Sequence, residues 1–209
     1  MKKIVLILIL AISACSPQKS ITDRVTLTSP DGDLSMEFLL EDGIPMYTLK
    51  HKGTDVLLPS RLGFEIRGSM KSALIRFDGD HITKSDVKPS FLLDRNFELL
   101  CTSNSSFDEY WEPVWGEESS IRNHYHELLV ELKQKESGHL LNIRFRLFDD
   151  GLGFRYEFPD KQRLTHFAIK EELTEPARAD DCIAWCIPRD YDTQEYEYGE
   201  CKLSEIEEK

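Results

Sequence analysis

Short stretches with alternating apolar and polar residues recur along the N-terminal third of the chain, and turn-forming pairs separate them. Leu34 to Phe38 alternates in this way and is followed by Asp42-Gly43, and the later stretch Met46 to Leu49 is followed by Lys52-Gly53. Alternation with period two buries one face of a strand, and a pair ending in Gly suits a tight hairpin turn because Gly adopts positive φ at little cost. The pattern predicts an antiparallel meander of β-hairpins.

A second alternating region runs from Leu128 to Phe158, with Gly138 and Gly151 at its turns. Within it, the segment Glu127 to Glu136 also has the Leu, Glu, Lys and Gln content of a helix. A strand is the better interpretation, because the segment abuts a Gly turn and a partner of matching length.

The segment from Cys182 to Ile187 is apolar at odd and even positions alike, and Pro188 ends it. Strands with two apolar faces are typically covered on both sides. We therefore expect a strand buried on both faces, within an all-β sandwich that has few short helices.

The first residues have the features of an export signal. Lys2 and Lys3 precede an apolar run from Ile4 to Ile12, which is far shorter than the roughly 20 residues that span a bilayer. The run leads into Ile12-Ser13-Ala14-Cys15, which is similar to a bacterial lipobox with an acylated cysteine. The alternative is an ordinary secretory signal with a chance cysteine.

These features predict a lipoprotein signal peptide over residues 1–14, lipidation at Cys15, a tether over 15–22 and a β-sandwich domain over 23–209. The protein is then an exported lipoprotein, anchored to a membrane in the periplasm or outer membrane of a Gram-negative bacterium.

The charge of the chain argues against nucleic acid as a partner. Its 26 Lys and Arg face 38 Asp and Glu, a formal net charge of −12, which becomes −14 if Lys2 and Lys3 leave with the signal peptide. Such a chain repels phosphate backbones, and no basic stripe is present.

Four cysteines follow Cys15, at positions 101, 182, 186 and 201, and they allow three pairings. Cys182 and Cys186 are four residues apart, which resembles half of a zinc site only loosely, and no second half follows. We interpret these two as buried, reduced thiols.

The stretch from Asp108 to Glu117 combines two tryptophans, Trp111 and Trp115, with several carboxylates. Aromatic faces stack on the C–H side of sugar rings, and nearby carboxylates accept hydroxyl hydrogen bonds, so the stretch is a candidate carbohydrate platform. The alternative is that the tryptophans fill the core of the sandwich.

The next stretch contains Arg122, His124 and His126. Alternate spacing puts both imidazoles on one face of a strand, but no third ligand for zinc is evident. The Arg122 guanidinium is suited to hold Asp108 or Glu117 in a two-pronged ion pair, which would brace the tryptophan stretch.

Carboxylates and tyrosines interleave from Arg189 to Tyr198. Such oxygen donors suit a hard cation such as Ca²⁺ together with a sugar, and the alternative is a solvated acidic face. No complete set of catalytic groups is recognisable anywhere in the chain.

Several of these stretches, taken in order, resemble the N-terminal domain of glycoside hydrolase family 97. The matching stretches cover nearly all of the chain after Cys15: Ser29-Pro30-Asp31-Gly32, Trp111 to Glu117, Ile121 to Tyr125, Phe148 to Pro159, Ala184 to Tyr198 and Leu203 to Ile206.

The resemblance implies an exported enzyme with an N-terminal antiparallel β-super-sandwich of the galactose-mutarotase type, a central (β/α)₈ barrel and a small C-terminal β domain. It implies α-glucosidase or α-galactosidase activity on α-linked oligosaccharides, by inversion or retention according to subgroup, with Ca²⁺ at the active site. Catalytic residues lie on the barrel in such enzymes, so none is expected here. The N-terminal domain borders the barrel and lends a calcium-ligating Glu, which by position is Glu195, with Glu197 as the weaker assignment.

The chain ends at Lys209, before any barrel. We therefore expect an accessory domain that lacks catalytic activity alone, binds calcium weakly or not at all, and exposes an apolar surface that would face the barrel. The expected substrate contacts are Trp111, Trp115, Arg122 and His124. The alternative is a stand-alone lipoprotein that captures carbohydrate on the two tryptophans.

Overall fold

The computed structural model describes residues 24–67, 77–78, 81–82, 90–159, 167–188 and 195–206. The predicted signal peptide, the lipidation site Cys15 and the tether lie outside the described residues, as does the segment 189–194. No helix within the described part of the chain has the length and apolarity needed to cross a membrane.

Fifteen strands and one short helical turn make up the described structure. They are β1 (Arg24–Thr28), β2 (Leu34–Glu41), β3 (Ile44–His51), β4 (Thr54–Arg61), β5 (Phe64–Arg67), β6 (Phe77–Asp78), β7 (His81–Ile82), β8 (Ser90–Leu93), β9 (Phe97–Trp111), β10 (Ile121–Gln134), β11 (Leu140–Leu147), β12 (Leu152–Glu157), β13 (Ala168–Glu172), β14 (Ile183–Cys186), β15 (Gly199–Lys202) and the 3₁₀ turn Leu203–Glu205.

Strands β1 to β4 form the first sheet as an antiparallel meander in sequence order. Its two central turns use the predicted pairs. Asp42 and Gly43 have φ values of 51° and 77°, and Lys52 and Gly53 have values of 49° and 82°. Positive φ at both central residues matches the two-residue hairpin turn that continues the right-handed twist of the strands, so the predicted meander is confirmed.

Strands β9 to β12 form the second sheet, again as a meander, in the order β12-β11-β10-β9. The strand interpretation of the segment after Glu127 is confirmed, because β10 continues to Gln134 and pairs with β9 and β11. β9 and β10 are 15 and 14 residues long. They extend beyond their shorter neighbours as a two-stranded ribbon.

The inner faces of these two sheets form the core of the sandwich. Phe145 lies at its centre, with its ring centroid 6.3 Å from that of Phe38 and 6.3 Å from that of Tyr47, both on the first sheet. Phe154 completes the cluster at 5.8 Å from Phe145. Burial of apolar side chains contributes about 25 cal/mol per Å² of covered surface, so this layer is the main source of stability.

A third sheet, in the order β13-β5-β8, adjoins the sandwich. Phe64 of β5 packs edge-on against Tyr156 at 4.2 Å. Burial raises the pKa of Tyr156 to about 12, and its hydroxyl accepts a hydrogen bond from the Gly63 amide.

The chain between the third sheet and β14 runs along the edge of the first sheet. The Leu58 amide donates to the Ala177 carbonyl, and the Ala179 amide donates to the Val56 carbonyl. These bonds satisfy part of the open edge of β4. The chain then continues into β14 and β15, which pair as a separate two-stranded sheet, here called the C-terminal hairpin. The expected all-β sandwich is confirmed, and the one helical element described is the 3₁₀ turn.

We predict that Leu128→Ala lowers the free energy of unfolding by about 2–5 kcal/mol, because Leu128 is fully buried opposite Phe145 and its removal leaves a cavity. The matched control Leu58→Ala removes the same atoms from an exposed position and should change stability by less than about 0.5 kcal/mol. Urea unfolding measures both. Equal losses in the two variants would contradict the assigned core.

Candidate functional site

The ribbon of β9 and β10 carries most of the residues that the sequence analysis singled out. Trp111 is the last residue of β9 and pairs with Ile121, the first residue of β10. Trp115 lies in the connection between them and is 88% exposed, while Trp111 is 48% exposed. Neither tryptophan fills the core, so the alternative interpretation of these residues is wrong.

The predicted brace between Arg122 and Asp108 is present. The Arg122 guanidinium donates two hydrogen bonds to the Asp108 carboxylate, through Nε at 2.8 Å and Nη2 at 2.8 Å. The bonds lower the pKa of Asp108 and raise the pKa of Arg122. Arg122 also lies over the Tyr110 ring, 5.7 Å from its centroid. The pair ties the two strands together near the tip of the ribbon.

The register separates the predicted substrate contacts between two faces of the ribbon. Directly opposite residues share a face, and successive residues alternate. Trp111 therefore shares a face with Ile121, whereas Arg122 and His124 project from the other face. The structure brings Arg122 and His124 together but does not bring Trp111 onto their face.

His124 and His126 lie on one face, as predicted, with ring centroids 6.4 Å apart. The His126 ring nitrogen Nδ1 lies 2.8 Å from the Thr28 carbonyl oxygen, so this imidazole is engaged with the first sheet. Within the described ranges, no group of three or more His, Cys, Asp or Glu side chains is placed to hold a metal ion.

The face that carries Trp111 continues inward as an aromatic row. The Phe107 ring stacks on Tyr125 at 5.3 Å, and Tyr125 contacts Phe148 at 5.2 Å. The Arg146 guanidinium covers the Tyr125 ring at 4.5 Å from its centroid. Rigid aromatic side chains of this kind suit contact with flat apolar surfaces.

A network of arginines and glutamates adjoins the aromatic row on the outer face of the second sheet. Glu127, which is buried, accepts hydrogen bonds from Arg144 and Arg146. Arg144 also donates to Glu157, with Nε 2.7 Å from Oε1. Arg155 lies 2.7 Å from the same Glu157 oxygen. The alternating arginines of β11 were visible in the sequence, but their partners on β10 and β12 depend on strand register.

The network changes the acidity of both carboxylates. Hydrogen bonds from Arg144, opposed in part by burial, lower the pKa of Glu157 to about 2. Burial acts to raise the pKa of Glu127, but the hydrogen bonds from Arg146 and Arg144 outweigh it, and the pKa is lowered. Both groups therefore stay ionised at a lower pH than an ordinary glutamate does.

The predicted burial of β14 is wrong. Ile183 and Trp185 are 62% and 66% exposed, and they share the outer face of the hairpin with Lys202 and Glu200. A strand that pairs with one short neighbour has an open face, which the local sequence pattern does not reveal. Cys182 and Cys186 are partly exposed free thiols, so the expectation of buried thiols is also wrong.

Glu195 and Glu197, the candidate calcium ligands, lie in the exposed segment that leads into β15. Within the described structure, Glu195 has no ion pair or hydrogen bond that ties it to the ribbon. An exposed carboxylate fits Ca²⁺ chemically, but it supplies at most two of the six to eight oxygens that the ion takes. Further ligands would therefore have to come from elsewhere.

Two clefts in the described structure lie away from the ribbon tip. One, of about 500 Å³, is lined by residues that include Arg61, Asp94 and Glu172, and the other, of about 560 Å³, is lined by residues that include Phe91 and Gln134. The tryptophans of the ribbon line neither cleft.

A sequence profile described as Glycosyl-hydrolase 97 N-terminal matches residues 27–209. Among solved structures, a glycoside hydrolase family 97 enzyme from Pseudoalteromonas sp. strain K8, in complex with panose, is 27% identical with a TM-score of 0.71, and the match covers 87% of this chain and 25% of that one. The family 97 enzyme from the same strain in complex with acarbose gives 27% identity, a TM-score of 0.69, and coverage of 85% and 24%.

A beta-arabinopyranosidase is similar in fold alone, with 22% identity and a TM-score of 0.55 over 72% of this chain and 20% of that one. The chain spans about a quarter of the length of the family 97 enzymes that it matches.

We predict that the Arg–Glu network makes stability depend on pH in the acid range. A carboxylate whose pKa falls on folding stabilises the native state above its unfolded pKa, about 4.3, and this contribution is lost as pH falls toward the folded value. The free energy of unfolding should therefore decrease between about pH 4.5 and pH 2. Glu157→Gln should show a smaller decrease in urea unfolding over that range, and an unchanged decrease would contradict the network.

Proposed function

The chain belongs to the glycosyl-hydrolase 97 N-terminal family, and from this premise we propose that it is the accessory domain of an exported α-glycosidase. In this role it borders the mouth of a (β/α)₈ catalytic barrel, which carries the catalytic residues. The substrate is an α-linked oligosaccharide, in keeping with the panose and acarbose bound by the Pseudoalteromonas enzymes. This chain alone contributes no catalytic group.

The exposed apolar side chains of the C-terminal hairpin carry this proposal. Ile183 and Trp185 project from β14, Tyr196 and Tyr198 precede β15, and Leu203 and Ile206 follow it, all of them exposed. Concentration of large apolar groups on so short a unit is typical of a surface that packs against another domain. Burial of such groups against a barrel would remove them from water and fix the hairpin beside the active site.

Glu195 is proposed as the residue of this domain that holds the Ca²⁺ ion of the active site. Its carboxylate would supply one or two oxygens, and the barrel would supply the others. When bound, the ion supplies a fixed positive charge that orients substrate oxygens and stabilises developing negative charge. Tyr196 and Tyr198, on either side of Glu197, would anchor the segment against the barrel and hold Glu195 in place.

The proposed function includes export of the protein and attachment to a membrane through Cys15. Acylation of Cys15 would hold the enzyme on a membrane, with the acidic domain outside the cytoplasm. Metabolic labelling with a radioactive fatty acid tests this part, since Cys15→Ser should lose the label and Cys101→Ser should keep it.

We predict that Glu195→Gln raises the Ca²⁺ concentration needed for half-maximal activity by about tenfold or more, because a neutral amide replaces a charged ligand. The measurement is hydrolysis of a nitrophenyl α-glycoside or α-galactoside by the polypeptide that joins this domain to its barrel, after chelation and stepwise return of Ca²⁺. Glu197→Gln is the matched control and should leave the curve unchanged. A shift in Glu197→Gln alone, or in neither variant, would overturn the assignment of Glu195.

A second candidate function is carbohydrate capture by the chain as a stand-alone lipoprotein. The exposure of Trp115 and of its neighbours Tyr110 and Trp111 favours it, since exposed aromatic faces at a ribbon tip are available for stacking on a sugar ring. The Arg122–Asp108 pair would keep the tip rigid for this purpose.

This second function predicts calorimetric binding of panose to the 209-residue chain. Trp115→Ala should weaken the binding by about tenfold, equivalent to about 1.4 kcal/mol, because the stacking surface is lost. Trp185→Ala, which removes an equally large exposed ring from the C-terminal hairpin, is the control and should bind normally. Absence of binding heat from chain with an intact β-sheet circular dichroism spectrum would exclude this function.

A further inference from the structure

Two of the free cysteines lie side by side on the C-terminal hairpin. Cys186 of β14 is directly opposite Gly199, and Cys201 of β15 is directly opposite Ala184. The two cysteines are therefore diagonal neighbours on one face, and their Sγ atoms are 4.0 Å apart.

We propose that Cys186 and Cys201 form a disulfide bond that links β14 to β15 in an oxidising environment. A disulfide has a sulfur–sulfur distance of about 2.05 Å, so the two sulfur atoms must approach by about 2 Å. Diagonal positions lie farther apart than directly opposite ones, so the bond requires rotation of both side chains together with a small approach of the two strands. The residues directly opposite the two cysteines, Ala184 and Gly199, are both small.

The contacts of Cys182 and Cys101 favour a bond between Cys186 and Cys201 over the other pairings. Cys201 is diagonal to both Cys182 and Cys186, because Ala184 lies between those two on the same face. The Cys182 sulfur instead accepts a hydrogen bond from Arg178 Nη2 at 3.0 Å. Cys101 lies on β9 in the second sheet, where its thiol contacts the Thr102 carbonyl.

The reaction is a two-step thiol–disulfide exchange with a disulfide oxidant such as oxidised glutathione. The thiolate of one cysteine attacks the oxidant and releases one glutathione thiolate. The thiolate of the second cysteine then attacks the protein sulfur of this mixed disulfide and releases the other glutathione thiolate. Two cysteines are oxidised, two glutathiones are produced, and the two protons pass to the released thiolates.

The rate should rise with pH. Partial burial and the neighbouring Cys186 thiol raise the pKa of Cys201, so the fraction of its reactive thiolate is small at neutral pH.

The bond would close a loop between residues that are 15 apart in sequence. This loop contains Glu195, Tyr196 and Tyr198, which precede β15. A covalent closure restricts the open conformations of such a segment. The disulfide would thereby link the strand that exposes Trp185 to the strand that follows the two tyrosines.

The test is to oxidise the folded 209-residue chain with glutathione, alkylate the remaining thiols and digest with trypsin and chymotrypsin. Cleavage after Trp185 puts Cys182 and Cys186 on different peptides. We expect a peptide pair linked through Cys186 and Cys201, about 2 Da lighter than the sum of its reduced parts, with Cys101 and Cys182 alkylated. Reduction should separate the pair.

Variants make the test selective. Cys182→Ser and Cys101→Ser should retain the link, whereas Cys186→Ser and, separately, Cys201→Ala should lose it. A link between Cys182 and Cys201, or full alkylation of both Cys186 and Cys201 after oxidation of chain with an intact circular dichroism spectrum, would overturn the proposal.

Discussion

Contact between the inner faces of two four-stranded meanders holds this domain together, and Phe145 lies where they meet. Its ring touches Phe38 and Tyr47 across the sandwich and Phe154 within its own sheet. The inner face of each meander carries most of its large buried apolar side chains, so each sheet covers the apolar surface of the other. The ribbon of β9 and β10 and the C-terminal hairpin both extend from this packed body, so the positions of the candidate residues follow from it.

The two exposed aromatic surfaces differ in how they are supported. The ribbon tip continues a strand pair whose other end is in the core, and the ion pair of Arg122 with Asp108 and the stack of Phe107 on Tyr125 reinforce it. The C-terminal hairpin depends on four residue pairs between β14 and β15 and on the 3₁₀ turn that follows. Such a short unit is marginal in water without a partner. A supporting domain, a cross-link between strands, or both would supply what the hairpin lacks.

Local sequence patterns predicted the meanders because period-two alternation and Gly turns act over a few residues, as the turns at Gly43 and Gly53 show. They also predicted the Arg122–Asp108 pair, since hairpin partners lie close in sequence. The exposure of Ile183 and Trp185 was not predictable from the apolar run of Cys182 to Ile187. Such a run indicates that both faces of a strand are covered, but it does not say whether the same domain or another domain covers them. The side of the ribbon on which Trp111 lies required the register, which a difference of one residue reverses.

We propose that the C-terminal hairpin packs against the rest of a glycoside hydrolase. Amide hydrogen exchange tests it directly, by comparison of the 209-residue chain with the polypeptide that joins this domain to its barrel. Residues 183–186 and 199–202 should exchange at least about tenfold more slowly in the joined polypeptide, while β2 and β3 exchange alike in both. Equal exchange of the hairpin in the two proteins would contradict the account.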